Sequence, residues 1–177
     1  MIMGINDMAD PSISIVKDGK IIFYIEEERL TRIKHSHNQF PIKSIKVALK
    51  KFNIKINDLQ AITYNWDFNK YQNGFMKNFF SQIRKQYSVD KKTLSWQNKR
   101  LKYRNLFNFK KKLKNYFHKE FNTKHLPKIY FYSHHYVHAF QSFKHSMFKE
   151  ALCITIDGSG EENCTVVWEC RKNRIKK

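Results

Sequence analysis

SISIVKDGKIIFYI, residues 12–25, decides the fold class. Polar and apolar residues alternate through residues 12–17, and KIIFYI at 20–25 forms a second apolar arm. Asp18-Gly19 between them is a strong two-residue hairpin signal, because both turn positions of such a loop need positive φ. Upstream, the short apolar run from Met3 to Asn6 ends at Asp7 and predicts a first strand. Downstream, Ile42, Ile45, Val47, Ala48, Leu49 and Phe52 recur at near-helical spacing behind Pro41, a good first-turn residue. LQAITYN (59–65) and KIYFYS (128–133) predict strands, and a helix is expected from His135 to about His145. ALCITIDG (151–158) predicts a buried strand ending in a glycine turn, with NCTVVWEC (163–170) as its hairpin partner. A three-stranded antiparallel start followed by alternating helices and strands predicts an α/β protein with a mixed sheet.

Composition sets the outer bounds. A chain of 177 residues suits one domain, or one and a half, and 41% hydrophobic residues suffice for a core. No apolar run approaches the roughly 20 residues of a membrane span, and the N-terminus lacks a basic, then apolar leader. Cys153, Cys164 and Cys170 show no CxxC spacing, and Cys153 reads as a small core residue. Together these features predict a cytoplasmic protein with no membrane partner.

The net charge of +19 is concentrated in one block. Residues 70–128 hold 17 Lys and Arg against 2 Asp and Glu. Within it, Leu101, Leu106, Phe109, Leu113 and Phe117 form a rough helical stripe. Such a block can serve as a surface for nucleic acid or an anionic membrane, or as a solvated helical insertion. No nucleic-acid motif accompanies the charge, which favours the insertion, placed at about 66–127.

Three groups of residues carry candidate chemistry. Asp7 and Asp10 sit in the loop after the first strand. Asp157 ends a strand and is followed by Gly158, Ser159 and Gly160; such a turn can offer backbone N–H groups to phosphate while the carboxylate holds a cation, although it is also ordinary hairpin chemistry. In SHHYVHAF (133–140), His134 and His138 stand at i and i+4, so a helix puts both imidazoles on one face, and His135 points elsewhere. Two histidines with Asp157 as a third donor would leave open coordination positions, a set suited to catalytic use; partly exposed histidines at a helix start are the alternative.

GINDMADPSISIVKDGKIIFYIEEERLTRIKHSHNQFP (4–41) and IYFYSHHYVHAFQSFKHSMFKEALCITIDGSGEEN (129–163) resemble the carbamoyltransferase family, which includes antibiotic and nodulation-factor O-carbamoyltransferases. The specific elements are EEERLTRIKH and the pairing of HHxxHA with a downstream DGxGE; the basic block has no recognisable counterpart. The resemblance implies the ribonuclease-H-like lobe of the actin-like ATPase fold, shared with sugar kinases, Hsp70 and actin. It implies transfer of a carbamoyl group from carbamoyl phosphate, through an ATP-derived carbamoyl adenylate, to the hydroxyl of a small acceptor. By motif match, His134, His138 and Asp157 fall on the ligands of a divalent metal, iron(II) or magnesium or manganese. Gly158, Ser159 and Gly160, with Asp7, fall on the ATP-contacting positions, and Asp10 on a catalytic one. Arg29, Arg32 and Lys34 lie where an anionic substrate would be met, unless EEERLTRIKH is only a solvated charge cluster.

Two departures accompany the resemblance. The family's first loop usually carries a histidine just before the aspartate, and here that residue is Ala9. The second lobe and the YrdC-like domain of complete members are also absent from the 177 residues. The expectation is a single N-terminal lobe that works with a separate chain carrying both. The alternatives are an inactive remnant or regulatory lobe, and a basic nucleic-acid-binding module.

Overall fold

A computed structural model describes residues 1–37, 39–123, 125–172 and 174–177. The chain divides into two compact units, Met1–Tyr64 with Lys110–Tyr130, and Asn65–Phe109 with Phe131–Lys177. The class is α/β with a mixed sheet, as the periodicity predicts.

Unit 1 is built on a five-stranded sheet. Strands β1 (Ile2–Asn6), β2 (Ser12–Lys17) and β3 (Lys20–Glu26) form the antiparallel start. Asp18 (φ 51°) and Gly19 (φ 75°) supply the two positive-φ positions between β2 and β3. Short helix α1 (Glu28–Thr31) and helix α2 (Ile42–Phe52) then lead to β4 (Ala61–Tyr64), which pairs parallel with β1. Strand β5 (Lys128–Phe131) completes the order β3-β2-β1-β4-β5. Met3, Ile13, Ile15, Ile45, Ala48 and Ile62 are almost fully buried, each large one contributing about 1.5–3 kcal/mol.

Glu27 shows how local chemistry fixes this unit. Its side chain is buried and accepts the backbone N–H groups of Lys43 (3.0 Å) and Ser44 (2.8 Å) and the Ser44 hydroxyl (2.7 Å). Among the described residues the first turn of α2 has no other side-chain cap, so this carboxylate satisfies its orphan donors and meets the positive end of the helix dipole. EEERLTRIKH is therefore not a uniformly solvated cluster. Asn53 (φ 50°) ends the same helix with a left-handed cap, its N–H bonding back to Leu49 and Lys50.

The basic stretch contains α3 (Asn69–Gln72), α4 (Phe75–Gln86), α5 (Lys91–Tyr103) and α6 (Leu106–Phe121). The apolar stripe expected to run through one helix is broken after Tyr103; Leu106, Phe109, Leu113 and Phe117 are buried along α6, while Leu101 belongs to α5 and is half-buried. Asp90 caps α5 by accepting Thr93 N–H at 2.6 Å. Among the described residues no helix is long and apolar enough to cross a membrane.

In unit 2, helix α7 (His134–His145) packs on a three-stranded antiparallel sheet of β6 (Glu150–Ile156), β7 (Thr165–Arg171) and β8 (Arg174–Lys176). Ala139, Phe143, Val166, Trp168 and Cys170 form the core beneath the helix. The expectation of a buried strand at 151–158 needs correcting. β6 alternates, and Leu152, Ile154, Ile156 and Val167 are 51–78% exposed on the face away from α7. A helix covers one face of this sheet, and among the described residues of unit 2 nothing covers the other.

Replacing Glu27 by Ala should destabilise the chain by about 2–4 kcal/mol, because three donors, two of them buried, lose their acceptor. Denaturant midpoints of the two proteins measure this directly.

Candidate metal centre

The i, i+4 pair lies on α7 as the spacing predicts. Ser133 caps the helix, accepting Tyr136 N–H at 3.3 Å, and Glu161 reaches back to accept His134 N–H at 3.1 Å. His134 Nε2 lies 2.6 Å from Asp157 Oδ2, and His138 Nε2 lies 3.2 Å from His134 Nε2 and 3.6 Å from the same carboxylate oxygen. Three ligand atoms from these residues thus lie within 4.8 Å of one another. His134 is largely enclosed, whereas His138 and Asp157 keep substantial exposure, so one side of the cluster opens outward.

The electrostatics suit a cation. The hydrogen bond from His134 holds the Asp157 carboxyl below its usual range, helped by Gly158 N–H and the charges of both histidines. Burial, then the neighbouring His134, lowers His138, a shift toward the neutral imidazole that binds metals. Two imidazole nitrogens and a carboxylate oxygen, converging with one side open, fit a divalent metal such as iron(II) or manganese.

The loop after Asp157 is held from within. Gly158 N–H donates to Asp157 Oδ1 at 2.6 Å, and Gly160 N–H donates to Asn163 O at 2.7 Å. Two amides of the Gly158–Ser159–Gly160 turn are therefore engaged inside the loop. His135, set apart from the pair by its spacing, is buried, with Nδ1 2.9 Å from Thr155 Oγ1 and Nε2 2.9 Å from Asn163 O. It pins the helix start to the β6–β7 hairpin. A Cβ on Gly160 would stand 2.5 Å from the His135 ring, so glycine is required by that ring.

Several contributors are not singled out by spacing, although Glu161 is the last residue of the DGxGE motif. Glu161 is buried and accepts both Asp67 N–H (2.7 Å) and His134 N–H. Trp66 places its ring 5.5 Å from the His134 ring. From the basic stretch, Arg100 inserts between Trp66 (4.9 Å) and Trp96 (4.5 Å) and donates to Gly160 O at 2.9 Å. Burial pulls the Arg100 guanidinium below its usual range. These contacts link residues 60 to 94 positions apart, which no local pattern reports.

The other candidate residues belong to unit 1. Asn6 organises the first loop: its side chain donates to the carbonyls of Ala9 and Asp10 and accepts Met8 N–H. Asp7 is half-buried beside it. Asp10 adopts φ 52° and meets His35 Nδ1 at 2.7 Å, while His35 N–H donates to Glu28 at 2.8 Å. An imidazole thus stands at the loop that carries Ala9, supplied from 25 residues downstream. Arg29, Arg32 and Lys34 are exposed; Arg29 lies 3.4 Å from Glu26 and 3.6 Å from Glu28.

Gly160→Ala should cost about 1–3 kcal/mol, since the His135 ring is held by two hydrogen bonds and cannot yield. Gly158→Ala, with open space at its Cβ, should stay within about 0.5 kcal/mol of the parent. Thermal unfolding of the two variants distinguishes them.

With this geometry in place, comparison with known proteins is direct. The chain is 33% identical over 156 residues to the nodulation protein NolNO of Sinorhizobium fredii, covering 87% of this chain and 20% of that protein. It is 31% identical over 177 residues to an uncharacterised protein of Methanocaldococcus jannaschii, covering 99% of this chain and 26% of that protein. An uncharacterised protein of Synechocystis is 28% identical over 175 residues, covering 94% of this chain and 26% of its own length. The chain thus spans about a fifth to a quarter of the length of these relatives. The family described as carbamoyltransferase N-terminus matches residues 1–176, and the chain belongs to that family.

Proposed function

We propose that this chain supplies the metal-bearing N-terminal part of an O-carbamoyltransferase. The single observation that carries the reading is the convergence of His134, His138 and Asp157 in a member of this family. A dication bound there would neutralise phosphate charge and polarise the carbamoyl carbonyl as a Lewis acid. The chain's own residues prepare the site: Glu161 fixes the start of α7, His135 locks the hairpin to it, and the outward-facing His138 and Asp157 leave room for substrate.

Carbamoyl phosphate, activated with ATP as a carbamoyl adenylate, is the proposed donor, and a small-molecule hydroxyl the acceptor. ATP contacts are assigned to Asp7 and the Gly158–Gly160 turn; with Gly158 and Gly160 N–H donating within the loop, Ser159 is the turn residue offered to phosphate. Asp10 is the proposed acid–base residue, and Arg29, Arg32 and Lys34 are proposed to meet anionic substrate. The antiparallel meander β1–β3 followed by parallel β4 supports reading unit 1 as a ribonuclease-H-like lobe of the actin-like ATPase fold. The apolar face of Leu152, Ile154, Ile156 and Val167 supports a partner: a second lobe, with a YrdC-like domain, would cover it. Internal use of Arg84, Arg100 and Lys70 weighs against a dedicated nucleic-acid surface.

Reconstitution tests the proposal. The chain, mixed with a protein carrying the second lobe and YrdC-like domain, should transfer labelled carbamoyl to a hydroxyl acceptor. His134→Ala should lose both the bound metal and turnover by more than about 100-fold. Full activity in that variant would contradict the metal assignment. A reconstituted wild type that binds metal but never transfers carbamoyl would instead favour an inactive or regulatory lobe.

A further inference from the structure

The basic stretch delivers two arginines to the neighbourhood of the metal trio, and they are not equivalent. Arg100 and Arg104 stand one helical turn apart at the end of α5. Arg100 is engaged by the rings of Trp66 and Trp96 and donates to Gly160 O. Arg104 holds its guanidinium carbon over the Trp66 ring, 4.7 Å from its centroid, and 5.9 Å from that of Phe68. Its backbone caps α5 through Arg100 O, but among the described residues its guanidinium has neither a hydrogen-bond acceptor nor a carboxylate partner. Residues 91–105 contain no acidic residue at all.

Three physical consequences follow. Contact with aromatic rings consumes none of a guanidinium's N–H donors, and those donors form the fork that grips an oxyanion bidentately. The indole and the α5 backbone hold the group in place, so little further ordering is needed on binding. Two cations at i and i+4 repel each other, and an anion at the free fork relieves that repulsion. Trp66 carries Arg104 at 4.7 Å and the His134 ring at 5.5 Å, so the fork and the metal trio share one indole.

We propose that Arg104, backed by Arg100, is a binding site for the phosphoryl group of a small phosphorylated substrate beside the His134–His138–Asp157 cluster. That the ligand is the phosphoryl end of the carbamoyl donor rests on the proposed function; the anion site itself does not. On this assignment Arg104 touches substrate, and Arg100 positions both Arg104 and the loop of Gly160.

The test is titration of the full chain with inorganic phosphate, with chelator present and ionic strength held constant, followed by calorimetry and tryptophan fluorescence. Wild type should saturate at one phosphate per chain. Arg104→Gln should weaken binding about tenfold or more. Arg104→Lys, which keeps charge and removes the fork, should fall between the two and controls for any loss of folding in the glutamine variant. Lys110→Gln removes the same charge from an exposed position and should bind as wild type does. Equal behaviour of Arg104→Gln and Lys110→Gln, or binding without saturation, would overturn the site. Equal affinity for acetate would overturn the phosphoryl assignment. Because metal is excluded, failure here is separable from failure of the metal centre.

Discussion

The buried carboxylate of Glu161 is the constraint on which the candidate site depends. It accepts the first N–H of α7 at His134 and also the N–H of Asp67, and so ties three segments of unit 2 together. A carboxylate at a helix N-terminus meets orphan donors and the positive end of the dipole. Glu161 follows Asp157 by four residues in one loop, so anchoring it at the helix start brings Asp157 over the imidazoles of His134 and His138. His135 secures the same junction from the other side, through Thr155 and Asn163. The three candidate donors therefore sit on a frame of hydrogen bonds that does not require them.

Much of this arrangement can be read from local pattern. The Asp18-Gly19 turn, the meander it joins and the i, i+4 histidines depend on neighbours within a few residues, and they stand where the spacing puts them. What the pattern misses is long range. Glu27 looks like one of three solvated glutamates, yet it is buried because the start of α2 needs an acceptor. Arg100 looks like one lysine-block cation among many, yet it lies between two indoles. β6 reads as a buried strand because its apolar residues run consecutively, and a continuous run does not say how many faces are covered.

The basic stretch gains a physical meaning from the same contacts. Its two acidic residues, Asp90 and Glu120, serve locally, one capping α5 and the other pairing with Lys46 at 2.6 Å. Part of its positive charge is used within the protein: Arg84 binds Gln97 and Asn98, Lys70 binds Glu162, and Arg100 binds the Gly160 carbonyl in the loop after Asp157. Net charge alone describes a surface, whereas these residues build a wall beside a site.

The most direct test of the central claim is X-ray absorption spectroscopy on the chain loaded with one equivalent of cobalt(II). The account predicts a first shell of nitrogen and oxygen with outer-shell scattering from two imidazoles, supplied by His134 and His138. A shell of oxygen atoms alone, with no imidazole scattering, would contradict it.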